Sequence, residues 1–412
     1  MLFSLLLWLP VMINSVTARY VMYLTGQHPE VPDSHLVSSI THVAIAFLPS
    51  SIFNSPQPPA SWPLFTTIPS VRSQFSPGTS IMVAIGGWGD TEGFSAAAKN
   101  ETTRKLFARN VATMVNSMGA DGVDIDWEYP GGNGEDYKTV PNSAKAWEIA
   151  AYPLLLSEIR SAFPPGKIIS AAVPGLRRDM LAFGTENMHA IVRVVDFLNI
   201  MTYDLMNRRD SATSHHTGVQ LSIDGVRAYL EAGLPTKMAN LGFAFYIKWY
   251  KTDPEARDEC RENPIGCRTV LMEDPDTGRD LGKAGAFSWD DGVPSELESS
   301  FGKAMRKGKY DDVGGGHYYW DPEEDIWWSW DTEDAILRKF PLMVEKMDLG
   351  GVFAWGLGED GRDCRHLRAL NRGVESWKES LEESPAPMTS TVSKEGKKSV
   401  SSTVEGRIKE DL

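Results

Sequence analysis

Cysteine is scarce, with three residues in 412: Cys260, Cys267 and Cys364. That excludes a scaffold stapled by many disulfides, and without close histidine ligands three cysteines make no zinc site. Basic residues are short too, 41 against 55 acidic, for a formal net charge of −14. Such a surface repels nucleic acid and anionic membranes, so neither is expected as a partner and an uncharged substrate fits best. Long apolar runs are missing after the first residues, so no membrane-spanning helix is expected in the mature protein. No glycine-rich phosphate loop opens an early helix. With 42% hydrophobic and 23% charged residues, the composition is that of a soluble globular protein with a sizeable core.

What is present begins with a leader. MLFSLLLWLPVMINSVTA, residues 1–18, reads as a secretory signal peptide, apolar from Leu2 to Ile13 and small near Thr17 and Ala18 for cleavage before Arg19. Export agrees with the single N-glycosylation sequon, NET, which makes Asn100 a glycosylation candidate. Cys260 and Cys267 enclose the short loop CRENPIGC and are candidates for a local disulfide, leaving Cys364 buried or free. Over 381–412 Ser, Thr, Lys, Glu and Pro dominate and aromatics vanish, so a disordered tail is expected. The tail ends in KEDL, a permutation of the K-D-E-L retention signal, but secretion is the expected localisation.

Between leader and tail, apolar runs bounded by turn residues recur at 20–26, 41–48, 80–88, 121–129, 167–175, 196–205, 238–246 and 350–358. Helical stretches alternate with them, for example 103–120, with Leu106, Phe107, Val111, Met114 and Val115 at helical spacing, and 144–163, which contains Pro153. Eight such β–α alternations with strands apolar on both faces predict an α/β fold, a (β/α)8 TIM barrel over 19–380. About 100 residues separate the seventh run from the eighth, too many for a loop. Their own β-like pieces, RTVLM, GGGHYYWD and DIWWSWD, predict a small α+β insertion at 248–340 between strand seven and strand eight.

The fourth run carries the chemistry. DGVDIDWEYPGG (121–132) sets Asp124, Asp126 and Glu128 at a period of two, so on a strand all three aim to one face, about 6.6 Å apart. The run ends at a Pro-Gly-Gly turn, where catalytic groups of a parallel barrel gather. Three acids there cannot all ionise cheaply, because each charge raises its neighbours' pKa, and at least one keeps a proton at neutral pH. Glu128, longest and nearest the mouth, is the natural general acid, with Asp126 and Asp124 sharing a proton beneath it. A solvated edge strand and a divalent-metal site are the competing readings.

These residues bear a family resemblance. DGVDIDWE resembles the D-G-x-D-x-D-x-E signature of glycoside hydrolase family 18, the chitinase family, at every fixed position. AIGGW (84–88) is similar to the S-x-G-G of strand three, MTYD (201–204) to M-x-Y-D of strand six, and Trp355 in GGVFAWGLGED to the Trp of strand eight. The insertion also occurs in longer-cleft members, fungal ones among them, and the likeness covers about residues 19–378. It implies retaining hydrolysis assisted by the substrate's own 2-acetamido group, one of the exceptions to the two-carboxylate scheme. Glu128 would protonate the glycosidic oxygen, Asp126 would hydrogen-bond the acetamido N–H, Asp124 would couple to Asp126, and Tyr203 would orient the acetamido oxygen. Trp355 would floor the sugar, with Asp204 and Met201 on its wall and Tyr23 approaching Asp124 from below. Trp88, Tyr246 and Tyr129 complete the cleft-lining set. No metal or other cofactor is implied, and a monomer acting on chitin or chitooligosaccharides is expected.

Two positions depart from the family pattern. Ala84 stands where the family has Ser, removing a hydroxyl expected near Asp124, with a water as the substitute. GFAFYI keeps Gly242 and Tyr246 of G-x-P-x-Y-G but loses the Pro and the final Gly. Beside a chitinase, an endo-β-N-acetylglucosaminidase acting on N-glycans shares this machinery, and a chitin-binding lectin of the same fold usually lacks the acid that Glu128 supplies.

Overall fold

Short runs rich in Val, Ile, Ala and Phe form strands here because both faces are apolar and helices cover the outer one. The computed structural model describes residues 18–383, so the leader up to residue 17 and the tail from residue 384, with its KEDL end, lie outside the described residues, while residues 381–383, expected in the disordered tail, instead finish the helix Arg365–Glu383. The first strands are β1 Arg19–Thr25, β2 His42–Leu48, β3 Ser80–Gly86, β4 Gly122–Asp126, β5 Ile168–Pro174, β6 Phe197–Met201 and β7 Ala239–Ala244. After them come β8 Tyr246–Lys251, β9 Ala284–Ser288, β10 Lys309–Asp311, β11 Gly316–Asp321, β12 Ile326–Trp330 and β13 Gly351–Trp355. Eight of these close a parallel barrel in the order β1-β13-β7-β6-β5-β4-β3-β2. This is the (β/α)8 barrel that the alternation predicts.

The two helices read from the sequence run Glu101–Met118 and Asn142–Ala162. The first is fixed at both ends: Asn100 accepts from the Thr103 N–H in a reciprocal capping box, and Gly119 closes it at φ 72°. Pro153 lies buried inside the second. The glycosylation candidate Asn100 is exposed, with its amide oxygen engaged in that cap.

Strand alternation sorts β4 between two environments. Ile125 and Trp127 face the helices, where Trp127 stacks on Phe94 with ring centroids 5.3 Å apart. Burying a side chain such as Ile125 is worth about 1.5–3 kcal/mol. The acids face inward, and the barrel interior around them mixes small residues, Ala44, Ala46, Ala84, Ala172 and Ala244, with large ones such as Tyr23, Met82 and Phe353. Bulky branched side chains usually fill a barrel; these alanines leave room for polar groups.

The other five strands form the insertion, an antiparallel sheet ordered β10-β11-β12-β8-β9. Its faces are aromatic, with Tyr318 stacked on Trp327 at 4.8 Å on one side and Trp328 against Phe287 at 6.2 Å on the other. GGGHYYWD and DIWWSWD supply β11 and β12, but RTVLM contributes only two isolated bridges, Arg268 to Ala212 and Thr269 to Thr252. β8, β9 and the three-residue β10 escape the sequence reading. One residue separates β8 from β7, which hides the boundary, and AGAFS is poor in β-formers. The sheet therefore opens at Tyr246 rather than 248, and helix Glu333–Lys339 packs back against the barrel, beside the stacked pair Phe243 and Phe340. Cys260 and Cys267 are joined as a disulfide, and Cys364 is free and partly exposed.

Candidate active site

The carboxylates of β4 meet three different surroundings. Asp124, lowest and fully buried, accepts from the Tyr23 hydroxyl at 2.7 Å, the Ser170 hydroxyl at 2.5 Å and the Asn199 amide at 3.2 Å. Burial raises its pKa, and those donors, which favour the charged form, hold the rise back. Asp126, one step higher and 3% exposed, points into the cleft, and its Oδ1 has no hydrogen-bond partner. Burial first, then the charges of Glu128 and Asp124, push its carboxyl well above the usual range. No hydrogen bond joins the two aspartates, so the direct sharing of a proton is replaced by a stack in which Asp124 is saturated with donors and Asp126 is not.

Glu128 lies just past β4 and borders the same cleft. Burial pushes its carboxyl up to about 7; a hydrogen bond with Tyr129 opposes the rise and the charges of Asp204 and Asp179 add to it. The neighbouring β3 comes close only because of glycine: a Cβ on Gly86, at φ 110°, would lie 2.1 Å from the Asp126 carbonyl oxygen. That contact accounts for the first Gly of AIGGW.

The hydroxyl lost at Ala84 returns from the other side. Ala84 on β3 and Ser170 on β5 both stand in register with Asp124, and the serine supplies the donor that a water was expected to give. Asn199 extends the network downward, accepting from Asn240 at 2.9 Å, whose own oxygen accepts from Arg19 at 3.1 Å.

The remaining predicted residues converge on one cleft of about 890 Å³. Tyr203 and Met201 line it from the end of β6, Tyr203 edge-on to Tyr246 at 6.1 Å and to Phe353 at 5.9 Å. Trp355 lines it as well, stacked by Phe47 and tilted against Tyr23, both at 5.5 Å. Asp204, in the left-handed region at φ 54°, accepts from the Tyr246 hydroxyl at 2.8 Å and pairs with Lys248 at 2.9 Å. Burial would raise this carboxyl, yet Lys248 and His216 outweigh it and hold it well below the carboxylate range. Tyr129 and Trp88 border the cleft edge to face at 6.4 Å, and Trp88 is 48% exposed.

Sequence reasoning missed Ser170, Lys248, Asp179 and Glu359. Ser170 and Lys248 are single polar residues within apolar runs, ISAAV and YIKWY, a signal present but easily taken for an outward face. Asp179 and Glu359 sit in short turns beyond β5 and β13, where no periodicity operates. Burial pushes Glu359 up to about 7, with His28 opposing.

A parallel barrel with perturbed carboxyls and an aromatic lining at its strand ends has the architecture of a barrel enzyme's active site. The profile of the Glycosyl hydrolases family 18 matches residues 19–360. The chain belongs to this family. It is 26% identical over 300 residues to Chitinase 1 of Aphanocladium album, a match covering 67% of this chain and 60% of that protein. A match to a class V chitinase of Arabidopsis thaliana, also 26% identical, covers 80% of this chain and 83% of the relative. Thus the chain spans about 60% of the length of curated relatives such as the fungal protein. Among solved structures, a chitinase from Rhizomucor miehei has the same fold, with TM-score 0.66 and 21% identity over 86% of this chain and 99% of that one.

Proposed function

We propose that this protein is a secreted chitinase that cleaves β-1,4-linked N-acetylglucosamine chains with retention of configuration, using the substrate's acetamido group as nucleophile. The observation that carries the reading is Asp126: a buried carboxyl facing the cleft beside Glu128, with an oxygen that no group of the protein satisfies. An acetamido N–H suits that oxygen, and its developing positive charge suits the cluster.

The steps follow from the proton inventory. Glu128, held protonated by burial up to about 7, donates its proton to the glycosidic oxygen as the C1–O bond breaks and the electron pair leaves with that oxygen. The acetamido carbonyl oxygen bonds to C1, forming an oxazolinium ion. Asp126, in the carboxylate form that a protonated Glu128 and the nascent cation favour, accepts the acetamido N–H and offsets the positive charge, while Tyr203 donates to the carbonyl oxygen and orients it. A water then attacks C1, gives its proton to the Glu128 carboxylate, and the carbonyl bond to C1 breaks. Two inversions restore the original configuration. No protein nucleophile is needed in these steps. Relatives bearing the name chitinase, and a Cycas revoluta class V chitinase of the same fold solved with (GlcNAc)3 (TM-score 0.63, 20% identity), support the substrate class. The leader at 1–18 and the sequon at Asn100 support export.

Removing the acetamido group removes the nucleophile. Chitotetraose is expected to be hydrolysed and its fully deacetylated counterpart left intact; equal cleavage of the two, followed by product chromatography, would overturn the mechanism. Product analysis on a high-mannose glycopeptide in parallel separates chitinase from N-glycan hydrolysis.

A further inference from the structure

The acid's side of the cleft carries groups that touch none of the reacting atoms in the steps above. Asp179 ends the turn Arg177–Asp179 beyond β5, borders the cleft and is only 5% exposed. Its Oδ1 has no hydrogen-bond partner. The nearby cations stand off, Arg209 at 3.9 Å from Oδ1 and Arg178 at 3.8 Å from Oδ2. A buried carboxylate oxygen without a donor is costly to keep, and a hydroxyl reaching it from the cleft would relieve that cost.

Arg209 is fixed from several sides at once. Its guanidinium lies 3.9 Å from the Tyr137 ring centroid and 5.7 Å from that of Trp88. Its two terminal nitrogens donate to the carbonyls of Asn133 and Gly134, each at 3.0 Å. It therefore ties together the loops after β3, β4 and β6. Trp88, half exposed, packs edge-on to Tyr129, the neighbour of Glu128, whereas Trp355 is stacked from β1 and β2. The acid protonates the oxygen between two sugars. If Trp355 floors the sugar whose C1 reacts, Trp88 lies where the departing sugar rests.

We propose that Asp179 and Arg209 build the subsite for the departing sugar: Arg209 fixes the Trp88 ring on which that sugar stacks, and Asp179 Oδ1 accepts one of its hydroxyls. The proposal rests on the chitinase reading. Arg209 acts as a positioning residue, through Trp88, and Asp179 as a determinant of specificity. A pyranose satisfies both surfaces, its flat face on the indole and a hydroxyl on the carboxylate. An aryl leaving group satisfies only the ring.

The test compares kcat/KM for chitotetraose with that for a nitrophenyl glycoside of chitobiose, well below pH 7 so that Glu128 stays protonated. Asp179→Ala is expected to lower the ratio of the two by roughly tenfold or more, because a buried polar partner is left unpaired. Asp179→Asn, whose amide oxygen still accepts, recovers part of it. Arg209→Met lowers the ratio similarly, mainly through KM. Arg209→Lys does not rescue it, since an ammonium neither stacks flat nor spans two carbonyls. Thermal melting screens the variants for folding; Asp179→Asn and Arg209→Gln, closest in shape, carry the test if the others fail to fold. Equal losses on both substrates, or no loss on either, overturn the proposal. A parent protein that cleaves neither substrate refutes the chitinase reading instead. Chitotetraose titrations by tryptophan fluorescence then decide, with unchanged binding in Arg209→Met and Asp179→Ala counting against the subsite.

Discussion

The barrel interior and the inserted sheet solve opposite problems with strands of similar length. β4 alternates acid and hydrocarbon, so its inner face carries Asp124 and Asp126 among alanines. β12, IWWSW, is buried at every position and meets aromatic clusters on both sides. Ion-bearing interiors are poor sources of stability, since desolvation consumes much of what pairing returns. Aromatic interiors each bury a large area and stabilise accordingly. The difference teaches where each kind of substitution should register: in the barrel mouth as lost chemistry, in the sheet as lost folding.

The largest separation is expected from Glu128→Gln, which keeps the shape and removes the transferable proton. Its kcat should fall by about 10²–10⁴-fold while the melting temperature and oligosaccharide binding, read by tryptophan fluorescence, stay near the parent's. A fall in stability matching the fall in rate would erase the contrast. Trp327→Ala is the mirror experiment. This fully buried ring, stacked on Tyr318, should cost about 3–5 kcal/mol in denaturant unfolding. The pH profile of the surviving folded protein should not move.

A smaller, signed effect concerns pH. Because burial pushes Glu128 up to about 7, the protonated acid should prevail below that value and activity should decline as pH rises through it. The Asp204 charge is one of the groups raising Glu128, so Asp204→Asn should move the alkaline limb to lower pH. Movement to higher pH would mean that a change in burial at the acid, not the lost Asp204 charge, dominates, since the Lys248 cation left unpaired pushes Glu128 down as well. The smallest effects belong to parts outside the comparison. EDTA should leave turnover unchanged, and recovery of chelated enzyme by Mg²⁺, Mn²⁺ or Ca²⁺ would revive the metal reading. Truncation after Glu383 should alter neither melting nor rate.

Much of the barrel was legible because parallel strands buried on both faces announce themselves as apolar runs, and each of the eight runs overlaps a strand. The acids were legible for the same reason, a period of two that sequence displays directly. What stayed hidden depends on register between strands distant in sequence. Nothing local to SAAVP shows that Ser170 stands opposite Asp124, or that this takes over from the alanine on the other flank. Lys248 was hidden because its strand starts so soon after β7 that one apolar run covers parts of both. Asp179 and Glu359 lie in turns, where position is set by tertiary packing rather than by propensity.

That abrupt start has a kinetic consequence. The single residue between β7 and β8 is Phe245, fully buried, its N–H donating to the Trp355 carbonyl at 2.7 Å and its ring 5.9 Å from His366. A joint so packed leaves no hinge for the sheet to swing on, so it stands as a fixed wall of the cleft rather than as a lid. Substrate capture then waits on no domain closure, and association should follow a single concentration-dependent phase in stopped-flow mixing, without a slower isomerisation on the μs–ms scale typical of closing lids.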